Sequence, residues 1–287
     1  MRPDLDIVAA ARRQPGFTLI EAVMVIAITG VIAAMVSVFM RAPVQGYFEA
    51  AQRAALTDAA DTAVRRMARD LHLALPNSVR VAAPACIEYI PTSTGGRYRT
   101  EQDCSAGACT GNKLDFSSAV GGFDYLGGMS PAPVANDTVV IYNLGIPGAD
   151  AYSNDNTATI QSVSASGIAL TANKQFPFAS PGNRFHVIPN GDRVVSYVCT
   201  GAGTDSAGNG TGRLLRYANY TPSAVAPTSC PTPPAGTPVL AAMVSACDFS
   251  YAPGVTARSG LASMRIVVTE NNENVSLYHE VHVNNAP

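Results

Sequence analysis

The chain has 287 residues, of which 14% are charged, and a formal net charge of −2 at pH 7. This length allows one long helix together with one sizeable domain. The nearly neutral balance excludes the strong basic field that is typical of nucleic-acid binders, so no nucleic-acid partner is evident, although a local basic patch would suffice to bind DNA.

The first predicted element is an apolar segment from Phe17 to Met40, in which Glu21 is the only charged residue. At roughly 1.5 Å per residue, a helix of this length crosses a hydrocarbon core of roughly 30 Å. A carboxylate at the centre of a bilayer costs roughly 2.5–3.5 kcal/mol, so Glu21 is expected to have a partner. A secretory signal peptide is disfavoured, because its apolar region is shorter and precedes the small residue, whereas Gly16 precedes this segment. A plain membrane anchor with a hydrated Glu21 stays an alternative.

The residues Gly16-Phe17-Thr18-Leu19-Ile20-Glu21, which follow a basic pair, resemble the processing site of type IV prepilins and type II secretion pseudopilins. The resemblance implies that a prepilin peptidase/N-methyltransferase cuts the Gly16–Phe17 bond and methylates the new amino terminus at Phe17. It also implies that Glu21 pairs with the terminal amine of a neighbouring subunit. Opposite charges attract strongly in a low dielectric, so this pair would favour one axial stagger between subunits.

Residues 1–16 are accordingly predicted to form the leader peptide. Arg12 and Arg13 place positive charge on the side of the membrane segment that is expected to stay cytoplasmic. Asp4 and Asp6 depart from the short, basic leaders that are usual in the family.

One continuous helix is predicted over two halves, a transmembrane half at residues 17–42 and an amphipathic half at residues 43–75. Pro43 is expected to kink the helix, and Pro76 to end it. The second half is rich in good helix formers. Its apolar residues recur at helical spacing and form one stripe: Leu56, Ala60, Ala63, Val64, Met67, Leu71 and Leu75.

Residues 76–287 are predicted to form a β-rich head of mostly antiparallel sheet, packed on the exposed half of the helix. The fold class is therefore α+β, and the resemblance implies a pilin fold. Residues 91–113 and 218–236 are expected to be long loops, and the Asn271–Asn274 turn is expected to close a hairpin. The candidate strands are Cys86–Ile90, Leu114–Ser117, Thr138–Tyr142, Ala158–Val163, Phe185–Ile188, Arg193–Cys199, Arg213–Tyr217, Cys247–Tyr251, Ala262–Thr269 and Asn274–Val283.

An even number of cysteines lies after the membrane segment, which predicts disulfides in an oxidising compartment. Cys104 and Cys109 are close enough in sequence to close a local loop. Cys199 and Cys230 flank a segment rich in Gly, Ser and Thr, and a disulfide between them could hold its two ends together. Buried free thiols are the alternative. The set is Cys86, Cys104, Cys109, Cys199, Cys230 and Cys247.

No catalytic residue, cofactor or metal site is predicted. His279-Glu280-Val281-His282 is one residue shorter than the H-E-x-x-H zinc motif, and on a strand its two histidines point to opposite faces. The loop with Asp150, Asn154, Asp155 and Asn156 has enough oxygens for calcium but lacks the EF-hand spacing. A nucleophile elbow and a P-loop are absent from the sequence.

The order of the helix and the segments Leu75–Arg80, Arg193–Val198 and Gly212–Tyr217 resembles large minor pilins of the mannose-sensitive hemagglutinin (MSHA) type, which are related to PilW and to J-type pseudopilins. The resemblance implies a structural subunit rather than an enzyme, one that primes or caps a type IV pilus in a tip complex. It further implies other minor and major pilins, the inner membrane and the assembly platform as partners. The subunit would begin as a single-pass inner-membrane protein with a periplasmic head and end at the pilus tip. A minor pseudopilin of a type II secretion system and an adhesin head on a pilin anchor are the alternatives.

Overall fold

A computed structural model describes residues 16–105, 107–254 and 259–287. Most of the predicted leader therefore lies outside the described residues. The chain divides into two units, one that ends at Gln52 and one that spans Arg53–Pro287. The fold class is α+β, as predicted, with a single long helix in the described residues, α1 (Leu19–His72).

The strands of the described residues are β1 (Arg80–Ala83), β2 (Cys86–Tyr89), β3 (Thr94–Tyr98), β4 (Asp103–Ser105), β5 (Ala108–Thr110), β6 (Val120–Leu126), β7 (Thr138–Ile141), β8 (Thr157–Val163), β9 (Gly167–Lys174), β10 (Arg184–Ile188), β11 (Val195–Thr200), β12 (Gly212–Ala218), β13 (Val239–Ala252), β14 (Gly260–Glu270) and β15 (Glu273–Val283). Two short 3-10 helices lie at Ala151–Ser153 and Asn190–Asp192.

Helix α1 ends at His72 rather than at Leu75, so the predicted helix end is wrong. The N–H groups of Leu73 and Ala74 donate to carbonyls only three residues back, which tightens the last turn. The N–H of Leu75 then donates to the carbonyl of Ile90 at 2.7 Å. Bonding to the segment that follows β2 therefore ends the helix before the proline. Pro43 lies inside α1, and the kink there stays a prediction.

The predicted apolar stripe of α1 is confirmed, because its residues from Leu56 to Leu71 are buried. Alanines at positions 60, 63 and 68 let the helix backbone approach the sheet closely. The stripe packs against inward-facing residues of the large sheet, including Tyr89, Tyr197, Leu214, Phe249, Met264, Ile266 and Val281. Burial of these apolar surfaces, at roughly 25 cal/mol per Å², holds the part of the helix from Leu56 to Leu71 on the large sheet.

The large sheet has the strand order β1-β2-β11-β12-β13-β14-β15, and every neighbouring pair is antiparallel. The closing hairpin that the sequence predicted is present between β14 and β15. Asn271 and Asn272 form its turn with φ of 50° and 62°, as a two-residue hairpin loop of this handedness requires.

A second layer, which the sequence analysis did not predict, is a closed barrel with the order β10-β3-β6-β9-β8-β7. Its separate core contains Tyr98, Phe123, Ile160, Phe176 and Phe185 among other buried residues. A smaller cluster with Leu75, Ile90, Val140, Ile188 and Val194 joins the barrel to the large sheet.

Two of the predicted segments are wrong. Residues 91–113 contain β3, β4 and β5 rather than a long loop, and Leu114–Ser117 is not a strand. Gly95 lies in β3, where a Cβ atom would lie 2.7 Å from the carbonyl oxygen of Phe185. Gly122 lies in β6, where a Cβ atom would lie 2.4 Å from the carbonyl oxygen of Ile168. These glycines are required by close strand approach, although in sequence they indicate turns.

The structure contains three disulfides: Cys86–Cys230, Cys104–Cys109 and Cys199–Cys247. The local Cys104–Cys109 loop closes the β4–β5 hairpin. The pairing of Cys199 with Cys230 is wrong. Cys199 joins β11 to β13, whereas Cys230 ties the long loop after β12 back to β2.

Candidate assembly site at the amino terminus

The segment around the predicted cleavage bond is open. Gly16, Phe17 and Thr18 precede α1, and every described residue from 16 to 51 is exposed. A Cβ atom added at Gly16 would have no other atom within 4 Å. The side chain of Phe17 is 78% exposed. Both residues are exposed, which leaves the Gly16–Phe17 bond accessible.

Thr18 caps the helix, which the sequence analysis missed. Its carbonyl accepts from the N–H groups of Glu21 and Ala22 at 3.1 and 3.2 Å, and its hydroxyl accepts from the N–H of Glu21 at 3.3 Å. The hydroxyl also donates to the Glu21 carboxylate at 3.5 Å. The sequence signal was the T-x-x-E spacing of a capping box, of which the bond from the N–H of Glu21 to the Thr18 hydroxyl is present.

The carboxylate of Glu21 lies in the first turn of α1, where the helix dipole favours a negative charge. Within the described residues the one hydrogen bond of this carboxylate is the long bond from the Thr18 hydroxyl. Such a bond leaves most of the lone pairs free. The carboxylate is therefore available for a cationic partner from outside the chain.

The exposed first half of α1 carries large apolar side chains on all sides, among them Leu19, Ile20, Val25, Ile28, Ile32, Met35, Val38 and Phe39. By length and composition α1 can cross a membrane, and its most apolar stretch is not buried in the protein. A helix that is apolar all round needs an apolar environment, either lipid or other helices.

A family model described as the prokaryotic N-terminal methylation motif matches residues 11–37. This match covers the processing site and most of the apolar segment. The motif indicates a type IV pilin-like or pseudopilin protein. It implies processing by a prepilin peptidase and assembly with other pilins, and together with the apolar helix it indicates membrane anchoring. It is a structural motif rather than the signature of an enzyme class.

Comparison with curated proteins and with solved structures finds no significant match. The head of this pilin-like chain is therefore interpreted from its own contacts.

The other sequence candidates do not converge on a site. His279 and His282 lie on β15, separated by an odd number of positions and thus on opposite faces. The oxygens of the Asp150 loop bond within the protein: Asp150 accepts from the N–H of Tyr152, and Asp155 accepts from the N–H of Gly148, each at 2.9 Å. Among the described residues, His, Cys, Asp and Glu form no group of three that could hold a metal ion.

A polar cluster fixes the C-terminal part of α1 to the large sheet. The carboxylate of Asp70 accepts from the hydroxyls of Tyr89 and Tyr197 at 3.1 and 2.5 Å and from Nε of Arg216 at 3.1 Å. Arg216 also contacts Asp192 at 2.8 Å. Burial raises the pKa of both tyrosines, so their hydroxyls stay protonated as donors. The cluster therefore holds the C-terminal part of α1 in one position against β2, β11 and β12.

Replacing Asp70 with Asn should lower the free energy of unfolding by about 2 kcal/mol, because hydrogen bonds to a charged acceptor are lost in a part-buried site. Asp61→Asn is the matched control. Asp61 forms an exposed pair with Arg65, and its loss should cost no more than about 0.5 kcal/mol. Urea unfolding of the full chain in detergent, followed by tyrosine fluorescence, measures both. Equal effects of the two variants would contradict the importance of the cluster.

A second polar cluster holds the loop that follows β12. Arg80 contacts Glu88 at 2.5 Å, donates to the carbonyl of Ser223 and lies 3.2 Å from the ring centre of Tyr152. The hydroxyl of Tyr220 donates to the other oxygen of Glu88. With Cys86–Cys230, these contacts hold the loop at residues 219–238 against the head at both ends.

His186, on β10 of the barrel, gives the head a pH dependence. Burial lowers the pKa of His186 to about 4, with a smaller contribution from Arg184. The unfolded chain therefore binds this proton first as pH falls, so stability is full above about pH 6.5 and decreases toward pH 4. The expected loss from this residue is about 3 kcal/mol. His186→Asn should reduce the difference between unfolding free energies at pH 7.5 and pH 4 by that amount. An unchanged difference would mean that His186 does not contribute.

Proposed function

We propose that the chain is a minor pilin of a type IV, MSHA-like pilus that primes or caps the filament in a tip complex. In this proposal a prepilin peptidase removes residues 1–16, Phe17 becomes the methylated amino terminus, and residues 17–42 cross the inner membrane. The part of the helix from residue 43 to His72, and the head that follows it, lie in the periplasm until the subunit reaches the tip. The observation that carries the proposal is the methylation motif at residues 11–37, which leads into an exposed apolar helix.

The assembly step is the pairing of Glu21 with the amine of Phe17 in a neighbouring subunit. The available carboxylate, the capping by Thr18 and the open position of Phe17 support this step. The neighbour's amine and this carboxylate would satisfy each other where water is scarce, since either charge alone in lipid is costly. Three disulfides stabilise the head, and the Asp70 cluster holds α1 on the large sheet. A force on the head would therefore be transmitted to the helix without sliding the helix along the sheet.

The experiment is site-specific photo-crosslinking from position 17 in cells that make both pili and a type II secretion machine. Crosslinks to the pilus subunits, together with the chain in sheared pili, would support the proposal. Crosslinks to pseudopilins alone would replace the pilus assignment with a J-type pseudopilin of the secretion system. If the photo-reactive residue at position 17 crosslinks only to lipid, the chain is a plain anchor and the proposal fails.

A further inference from the structure

A cleft of about 480 Å³ lies where the barrel meets the large sheet. Its volume is in the range of small-molecule sites, which run from roughly 300 to 1,000 Å³. The barrel contributes parts of β7, β8 and β9 to its wall, and the segments around Ile90, Arg193 and Thr221 complete it. These wall segments are distant in sequence and come together only in the folded head.

The charge of the cleft is opposite to that of the chain as a whole. Lys174 and Arg193 line it, and no carboxylate does so among the described residues. The ammonium of Lys174 donates to the backbone carbonyl of Asn154 at 3.1 Å, which positions its charge without neutralising it. The neighbouring Asp192 is bound to Arg216, and no described residue forms an ion pair with Arg193. An anion would therefore gain two charge-assisted contacts here.

Hydroxyl groups line the wall beside these cations. Thr138 and Thr159 lie directly opposite each other on β7 and β8. Thr171 on β9 is next to them, and its hydroxyl donates to the carbonyl of Thr159 at 3.3 Å. Within the described part of the chain, the hydroxyls of Thr138, Thr159 and Thr221 have no hydrogen-bond partner. Each can donate and accept, which suits a ligand that carries hydroxyls of its own.

The apolar part of the lining includes Ile90, Ala151 and Ile188, all buried. Such a surface contacts carbon atoms, while the threonines and the two cations contact polar groups. We propose that this cleft binds an acidic saccharide, with the carboxylate between Lys174 and Arg193 and the sugar hydroxyls on the threonines. The site is independent of the assembly role of the amino terminus.

Saturation-transfer difference NMR on the full chain in nanodiscs of zwitterionic lipid tests the proposal. The probes are D-glucuronate and D-glucose. They differ at one position, where glucuronate carries a carboxylate and glucose carries a hydroxymethyl group. Glucuronate should receive saturation, and glucose should receive at least about fivefold less, because it lacks the carboxylate that contacts Lys174 and Arg193. Equal saturation of the two sugars, or none for glucuronate, would overturn the proposal. Empty nanodiscs serve as the blank.

Two charge-matched double variants locate the site. Lys174→Gln with Arg193→Gln should reduce the glucuronate signal at least about fivefold. Lys113→Gln with Arg213→Gln removes the same charge from exposed residues outside the cleft and should leave the signal unchanged. Near-ultraviolet circular dichroism verifies that both variants are folded. If both pairs of substitutions have the same effect, glucuronate binds through general charge and the site is wrong.

A third variant and a competitor separate a saccharide from a simple anion. The variant is Thr159→Val, which keeps both cations, and the competitor is inorganic phosphate. Thr159→Val should weaken glucuronate binding, whereas phosphate should still displace the glucuronate that binds. If Thr159→Val binds glucuronate as the unmodified chain does, the hydroxyls play no part and the cleft is an anion site only, which contradicts the saccharide assignment.

Discussion

Replacing Glu21 with Gln is expected to leave the chain processed and inserted in the membrane but to reduce its incorporation into filaments roughly 100-fold. The reason is the loss of an ion pair in a site where an unpaired charge costs roughly 2.5–3.5 kcal/mol. Glutamine keeps the size of the side chain, and the cap itself is formed by Thr18 with backbone N–H groups, so helix capping is preserved. The readout is the amount of the chain in sheared filaments relative to the membrane fraction.

Glu49→Gln is the control for this experiment. Glu49 is an exposed carboxylate on the same helix but outside the matched motif, so its loss should leave incorporation unchanged. Glu21→Ala should behave like Glu21→Gln if charge is what counts. Incorporation that is normal in Glu21→Gln and impaired only in Glu21→Ala would assign Glu21 to helix capping and refute the pairing.

Replacing Gly16 with Leu should leave the precursor uncleaved. A Cβ atom at this position lies in open space, and residue 16 precedes α1, so the fold is expected to tolerate the substitution. Its effect must arise in the peptidase, whose active site would have to accommodate the larger residue. Mass spectrometry of the N-terminal peptide would show residues 1–16 retained and Phe17 unmethylated.

Gly46→Leu provides the matched control. A Cβ atom added at Gly46 would likewise have no neighbour within 4 Å, and Gly46 lies inside α1, beyond the matched motif. This variant should be cleaved normally, since leucine is a better helix former than glycine. Cleavage of the Gly16→Leu precursor at the same bond would contradict the assignment of Gly16 to the peptidase site.

The features that could be predicted from the sequence have a local period or a local turn. The buried stripe of α1 repeats at helical spacing. The β14–β15 hairpin is indicated by two asparagines between segments in which apolar and polar residues alternate. The barrel lacked such a signal, because β3 and β6 carry paired glycines that in sequence resemble turns. The pairing of Cys199 with Cys247 also lacked a local signal, because it depends on the arrangement of strands that are distant in sequence.

The same distinction applies to the candidate sites. The amino-terminal site is a run of adjacent residues, so its pattern is visible in the sequence, although the cap formed by Thr18 was overlooked. The saccharide cleft draws on β7, β8, β9 and the segments around Arg193 and Thr221, which are far apart along the chain. The Asp70 cluster likewise joins a helix residue to strands far along the chain. Such sites depend on tertiary folding and have no linear signature.

The barrel is an insertion in the connection between two neighbouring strands of the large sheet. The chain leaves that sheet after β2 and returns at β11, and these two strands are hydrogen-bonded neighbours, with Tyr89 opposite Val195. Among the described residues, the helix–sheet core and the barrel core share no residue, and a small apolar cluster lies between them. The barrel can therefore diverge, or be exchanged for another insertion, while the scaffold that carries the helix keeps its packing. Evolution could in this way change what the subunit presents without changing how it assembles.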